Sequence, residues 1–188
     1  MSKFKVTFTL EEADANYFRS LYRKAKKGAK GQDPDSVIRE ARAIVKTVRS
    51  NKKTPAFVIE AISVLDDLTD IIRDEDYRAP TRVRDAVLAG IAYFSNPEDL
   101  IPDHIPGLGF LDDAIMVKFI EDEFKHELWG YRRFKKARDV AEQRPWSDPA
   151  RERLRERLVA DRKKIRGEIE RREAKEATKR KSSGYLGW

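Results

Sequence analysis

The chain has 188 residues, 39% of them charged, with a net charge of +7 and a mean hydropathy of −0.71, which suits one domain with charged extensions better than two independent cores. It has no cysteine and two histidines; this excludes disulfides, thiolate zinc sites and cysteine nucleophiles, and leaves any metal to carboxylates and at most two imidazoles. No segment reaches the roughly 18 apolar residues of a membrane span, so the chain reads as soluble and cytoplasmic, with peripheral attachment to a membrane left open.

"FKVTFTL" alternates Phe4, Val6, Phe8 and Leu10 with polar residues, the period of a short N-terminal β-strand. No partner strand follows it in the chain, so it is expected to pair with a second copy of the chain, with another protein or with a short extended piece, the second copy being the preferred reading. Thr9 and Glu12 have capping-box spacing for a helix to about Lys27 that buries Phe18, Leu21 and Tyr22. Asp33 and Pro34 cap and open a second helix to Ser50, with Val37, Ile38, Ala41, Ile44, Val45 and Val48 inward. Thr54 and Pro55 repeat the device before a third helix whose apolar face runs from Phe57 and Val58 to Ile71 and Ile72. After the polar turn "DEDYRAPT", Thr81 caps a fourth helix to about Ser95, bearing Val83, Val87, Ile91 and Phe94 on one face.

Between this helix and the next lies "SNPEDLIPDHIPGLGFLDD". Asn96 and Pro97 form another cap and first-turn proline; Pro102 and Pro106 force extended geometry on Ile101 and Ile105, which with Leu100 anchor the corner. Gly107 and Gly109 permit positive torsions, and Asp112 and Asp113 fall in the first turn of a fifth helix reaching about Ala141, where backbone donors favour carboxylates. Each acidic residue therefore has a structural use. The competing reading gathers Asp99, Asp103, Asp112 and Asp113, with His104, around a divalent cation such as magnesium, calcium or manganese.

These residues carry a resemblance. "AYFSNPEDLIPDHIPGLGFLDDAIMV", Ala92 to Val117, resembles the signature of the YkvA-like domain family, a bacterial family of unknown function. Asp99, Leu100, Ile101, Pro102, Asp103, Ile105, Pro106, Gly109, Asp112 and Asp113 match it, while Asn96 stands where the family often has aspartate. The resemblance implies a helical hairpin around the D-L-I-P-D corner and no assigned activity. It also implies kinship with proteins that look membrane-attached, although this chain lacks the apolar length to span.

A last helix, from about Pro149 to Lys181, carries a thin stripe of Leu154, Leu158, Ile165 and Ile169, which suits a docked arm, a coiled-coil seam or a solvated helix. The tail "KSSGYLGW" is either disordered or a docking peptide. Lys and Arg against Asp and Glu number 14 and 6 in residues 1–59, 6 and 17 in 60–130, and 20 and 10 in 131–188. An acidic centre between basic flanks can neutralise itself, which is the favoured reading over an external polyanion. For a nucleic-acid or acidic-lipid surface, the candidate contacts are Arg151, Arg155, Arg162, Lys163, Lys164 and Arg166.

Glu123 and His126 make an E-x-x-H pair of the di-metal kind, but no second such motif exists, and Glu60, Asp66, Asp67 and Asp70 are remote substitutes. Serine-hydrolase, phosphate-loop and zinc-protease motifs are absent. The expectation is an all-α protein in three parts: residues 1–80 as strand and packing helices, 81–145 as the hairpin module, and 146–188 as a basic helix with an aromatic tail. Its expected role is a non-catalytic interaction or scaffold protein, with an unidentified protein or a second copy as partner and no certain cofactor. A divalent-cation enzyme and a polyanion-surface binder are the alternatives.

Overall fold

The structure, a computed structural model, describes residues 9, 11–29, 31–95, 109–142 and 148–182, without the side chains of 148–152 and 181–182. These residues are all-helical, with no strand among them. The expected strand at Phe4–Leu10 lies almost wholly outside the described residues, as do the aromatic tail and the corner from Asn96 to Leu108.

In chain order the helices are α1 (Glu12–Gly28), α2 (Pro34–Ser50), α3 (Ala56–Ile62), α4 (Val64–Arg73), α5 (Thr81–Ile91), a 3-10 turn (Ala92–Ser95), α6 (Leu111–Glu123), α7 (Lys125–Glu142) and α8 (Asp148–Ser182). α2 packs on α3, α4, α5 and the 3-10 turn; α1 lies over the 3-10 turn, α5 and α6; α7 lies on α4 and carries α8 on its outer side. One hydrophobic cluster runs through all of them, from Phe18 and Tyr22 in α1 to Leu158, Ile165 and Ile169 in α8.

α2 follows the sequence pattern closely. The Asp33 carboxylate accepts hydrogen bonds from the Ser36 and Asp35 backbone N–H groups at 3.0 and 3.4 Å, and Val37, Ile38, Ala41, Val45 and Val48 are buried. α1 starts later than its Thr9–Glu12 spacing suggested. Glu11 is the N-cap, and its N–H donates to Asp14 Oδ2 at 3.1 Å, which also puts a carboxylate at the positive end of the helix.

Two expected long helices are each broken once. At Ser63 the hydroxyl donates back to the Ile59 carbonyl at 2.6 Å and accepts from Arg49 at 3.0 Å, the side-chain competition that bends helices. With α3 cut to seven residues, Val58 and Ile62, four apart, take its buried face. Phe57, expected in the core, is 52% exposed. The second break is at Phe124 (φ −102°, ψ 15°), where Phe124 N–H still donates to Ile120 and Leu128 N–H to Phe124, so the axis is re-aimed while both backbone bonds remain.

The N-terminus of α6 departs from the expectation that glycine supplies the turn. Among the described residues Phe110, not Gly109, takes the left-handed conformation (φ 65°, ψ 12°). A bulky residue adopts it only against a steric cost, offset here by the burial of its ring to 3% exposure.

Charge neutralises internally. α4 lies between basic faces: Asp66 and Asp70 pair with Arg49 and Arg42 of α2 at 2.7 and 2.8 Å, and Asp67 pairs with Arg132 of α7 at 2.7 Å. Arg73 reaches back to Asp35 at 2.6 Å. Each such half-exposed pair is worth about 0–1 kcal/mol, so their chief effect is to set the register of helices that the core holds together.

Candidate functional site

Of the expected metal ligands, Asp99, Asp103 and His104 lie outside the described residues, as do the corner residues Asn96, Pro97, Leu100, Ile101, Pro102, Ile105, Pro106 and Gly107. Asp112 and Asp113 are described, at 3% and 9% exposure in the first turn of α6, and neither carboxylate is without a partner. Among the described residues no three His, Asp or Glu side chains are grouped to hold a metal ion. The E-x-x-H pair diverges. Glu123 accepts from Lys26 of α1 at 2.6 Å, while His126 Nε2 lies 2.6 Å from Glu176 of α8.

The basic candidates of α8 divide by face. Arg155, Lys163 and Lys164 are exposed, and the side chain of Arg151 is not described. Arg162 donates to the Asp76 carbonyl at 2.9 Å. Arg166 turns inward and donates through both terminal nitrogens to Glu127 at 2.6 and 2.8 Å. Glu127, 4% exposed, also accepts from Tyr77 Oη at 2.7 Å. Burial first, and the Glu127 charge second, push the Tyr77 phenol well above its usual range. Burial works against the Arg166 charge, but the hydrogen bonds and charge of Glu127 outweigh it, and its pKa is raised.

Sequence reasoning missed this triad because Tyr77 sits in the polar turn "DEDYRAPT", between charged residues. That turn is fastened by Asp74, whose Oδ1 accepts from the Asp76 and Tyr77 N–H groups and whose Oδ2 accepts from Arg138 at 2.8 Å and Tyr131 Oη at 3.2 Å. The one signal was a lone aromatic in an acidic turn. Its ring is fully buried, edge-on to Tyr131 with centroids 5.1 Å apart.

Sequence reasoning also missed a cleft of about 730 Å³ where α1, the α6–α7 break and the C-terminal half of α8 meet. Its volume lies in the range of small-molecule sites. Tyr22, Phe119 and Ala177 give it apolar surface, and Arg19, Arg23 and Lys27, four residues apart on α1, line it as a basic row. On the other side Glu176 is held by Lys125 at 2.7 Å, His126 at 2.6 Å and Arg180 at 2.7 Å. The Lys125 hydrogen bond, with those of His126 and Arg180 behind it, draws the Glu176 pKa down from 4.5 to about 2 against a smaller opposing effect of burial.

At the base of the cleft the Tyr22 hydroxyl is buried without a hydrogen-bond partner. Burial, and next the charge and hydrogen-bonding reach of nearby Glu123, push its pKa upward, while Glu123 makes its close hydrogen bond with Lys26. The hydroxyl instead lies against Gly90 of α5, where a Cβ atom would come within 2.8 Å of it.

Comparison with known proteins agrees with the signature around α5 and α6. Residues 84–119 match the family described as "Protein of unknown function (DUF1232)". Over 95 residues the chain is 35% identical to "Uncharacterized membrane protein YkvA" of Bacillus subtilis (strain 168), a match covering 50% of this chain and 85% of the relative. No solved structure matches it significantly. No helix among the described residues is long and apolar enough to cross a membrane. With most of that relative covered at this identity, the chain belongs to the YkvA-like DUF1232 family.

Proposed function

We propose that this chain is a non-catalytic interaction protein, a braced helical frame that binds through its surface and a cleft between its helices. The observation that supports it most is how the charged side chains are used. Asp67 and Asp70, remote candidates for a di-metal site in the sequence, and with them Glu127 and Asp74, each clamp one helix to another. A carboxylate pinned between two helices is poorly placed to exchange protons or bind a substrate.

The experiment is a melting-temperature titration with magnesium, calcium and manganese at matched ionic strength, on the wild type and on Asp112→Asn with Asp113→Asn. The interaction reading expects no cation-specific stabilisation and a lower melting temperature for the double variant. Stabilisation of the wild type alone would replace it with the alternative in which Asp99, Asp103, Asp112 and Asp113 hold a divalent cation for an enzymatic step.

A second reading is favoured by the printed name of the Bacillus relative, a membrane protein. Without a spanning helix among the described residues, contact with a membrane would be peripheral. The exposed Arg155, Lys163 and Lys164 suit an anionic lipid surface. Flotation with phosphatidylglycerol vesicles, compared with phosphatidylcholine vesicles, tests it: reversal of the three charges should abolish flotation, and equal flotation with both lipids would discard it.

A further inference from the structure

We infer that the cleft between α1, the α6–α7 break and α8 is a binding site for a small anionic amphiphile, an apolar body carrying one carboxylate or phosphate group. This deepens the interaction reading by naming a ligand class, and it rests on that reading only in expecting the ligand to leave unchanged.

Three features of the cleft lead to this chemistry. Its interior offers the faces of Phe119 and Tyr22 and the methyl of Ala177, an apolar surface where α1 and α8 stand apart instead of packing on each other. Six Lys and Arg side chains line it against four carboxylates, of which Glu123 is matched by Lys26, Glu176 by Lys125, His126 and Arg180, and Asp122 more loosely by Lys125 at 3.7 Å. The balance favours an anionic ligand over a cationic one. Two members of the row on α1 are not matched in the same way. Arg23 and Lys27 are exposed and make no ion pair with the described residues, and both line the cleft. An apolar cavity with a cationic edge selects an amphiphile by body and head together, whereas a bare anion would engage the edge alone.

The test is calorimetric titration of the full chain with decanoate and decyl phosphate below their micelle concentrations, with decanol, decyltrimethylammonium and inorganic phosphate as comparisons. Variants are Arg23→Glu with Lys27→Glu, which reverses the row, and Ala177→Trp, which fills the cleft from the exposed side of α8; melting curves confirm that both fold. The expected result is one-to-one binding of the two anionic amphiphiles, weakened about tenfold or more by the charge reversal and removed by Ala177→Trp. Weak or no binding of the three comparison molecules is also expected. Decanol binding as tightly as decanoate, binding unaffected by Ala177→Trp, or no binding of either anion would each overturn the inference. Recovery of the amphiphile is followed by mass spectrometry: a chemically altered ligand whose binding obeys the variants would uphold the site and overturn the non-catalytic reading instead.

Discussion

Arg166 of α8 donates two hydrogen bonds to Glu127 of α7, 39 residues earlier, while its guanidinium lies 5.5 Å from the centroid of the Tyr77 ring. One side chain thus ties the outermost helix to a buried carboxylate and to the turn between α4 and α5. A buried charge pair contributes little over an apolar substitute, but losing one member strands the other.

Arg166→Met should therefore destabilise the chain by about 3 kcal/mol, because Glu127 is left ionised and enclosed. The double variant Arg166→Met with Glu127→Gln should recover part of that loss, since the stranded charge is gone. Urea unfolding of the two variants checks it. A single variant as stable as the wild type would mean that Glu127 finds water or another cation once Arg166 is removed.

α8 is docked through Ile165 and Ile169, which close over Gly130 of α7; a Cβ there would fall within 3.1 Å of Ile165 Cγ2 and closer still to Ile169. Gly130→Val should lift the helix, since both isoleucines cannot retreat without exposing apolar surface worth about 1.5–3 kcal/mol each. Limited trypsin digestion should then cleave within Arg162–Arg172 well before the rest of the chain. Unchanged protection would show that α8 is retained by its ion pairs instead.

The fold was readable where a single local rule decides the outcome. Asp33 with Pro34 announces α2, and the i, i+3, i+4 pattern of Val37, Ile38, Ala41, Val45 and Val48 names its buried face. The breaks at Ser63 and Phe124 were not readable, because both positions fit a continuous helix by propensity and only tertiary contacts, such as Arg49 on the Ser63 hydroxyl, separate the segments. Candidate-site residues show the same division. The helix-initial positions of Asp112 and Asp113 follow from local sequence, whereas the cleft exists because α1 and α8, more than a hundred residues apart, approach α6–α7 from opposite sides. Charge totals foretold that the basic flanks would meet the acidic centre; they were silent on Arg166, whose spacing in α8 looks like that of any surface arginine.

Glu176 gives a pH dependence with a defined window. Its folded pKa, about 2, lies below the ordinary value of 4.5, so the native state favours the ionised form and the resulting stability is fully present above pH 4.5. That stability is lost as the pH falls through 4.5 towards 2. Glu176→Gln should be less stable than the wild type at neutral pH by a margin that stays constant down to about pH 4.5, then shrinks and vanishes near pH 2. Urea midpoints of both proteins across this range check it, and a margin independent of pH would assign the effect to packing and not to charge.

Gly90 and Tyr22 form a coupled pair at the base of the cleft. A methyl group at position 90 would meet the Tyr22 hydroxyl at 2.8 Å and the Phe124 ring at 3.1 Å, so Gly90→Ala should cost about 1–3 kcal/mol through overpacking. Tyr22→Phe deletes the very atom in conflict, and with it a buried donor that has no acceptor, so it should be neutral or stabilising by about 1 kcal/mol. Combining the two should recover most of the Gly90→Ala loss and leave only the contact with Phe124, giving a coupling energy of about 1 kcal/mol or more in a double-mutant cycle. Strict additivity would place the conflict at Phe124. A clear loss of stability in Tyr22→Phe alone would show that the hydroxyl has an acceptor, for which the Glu123 carboxylate is the candidate.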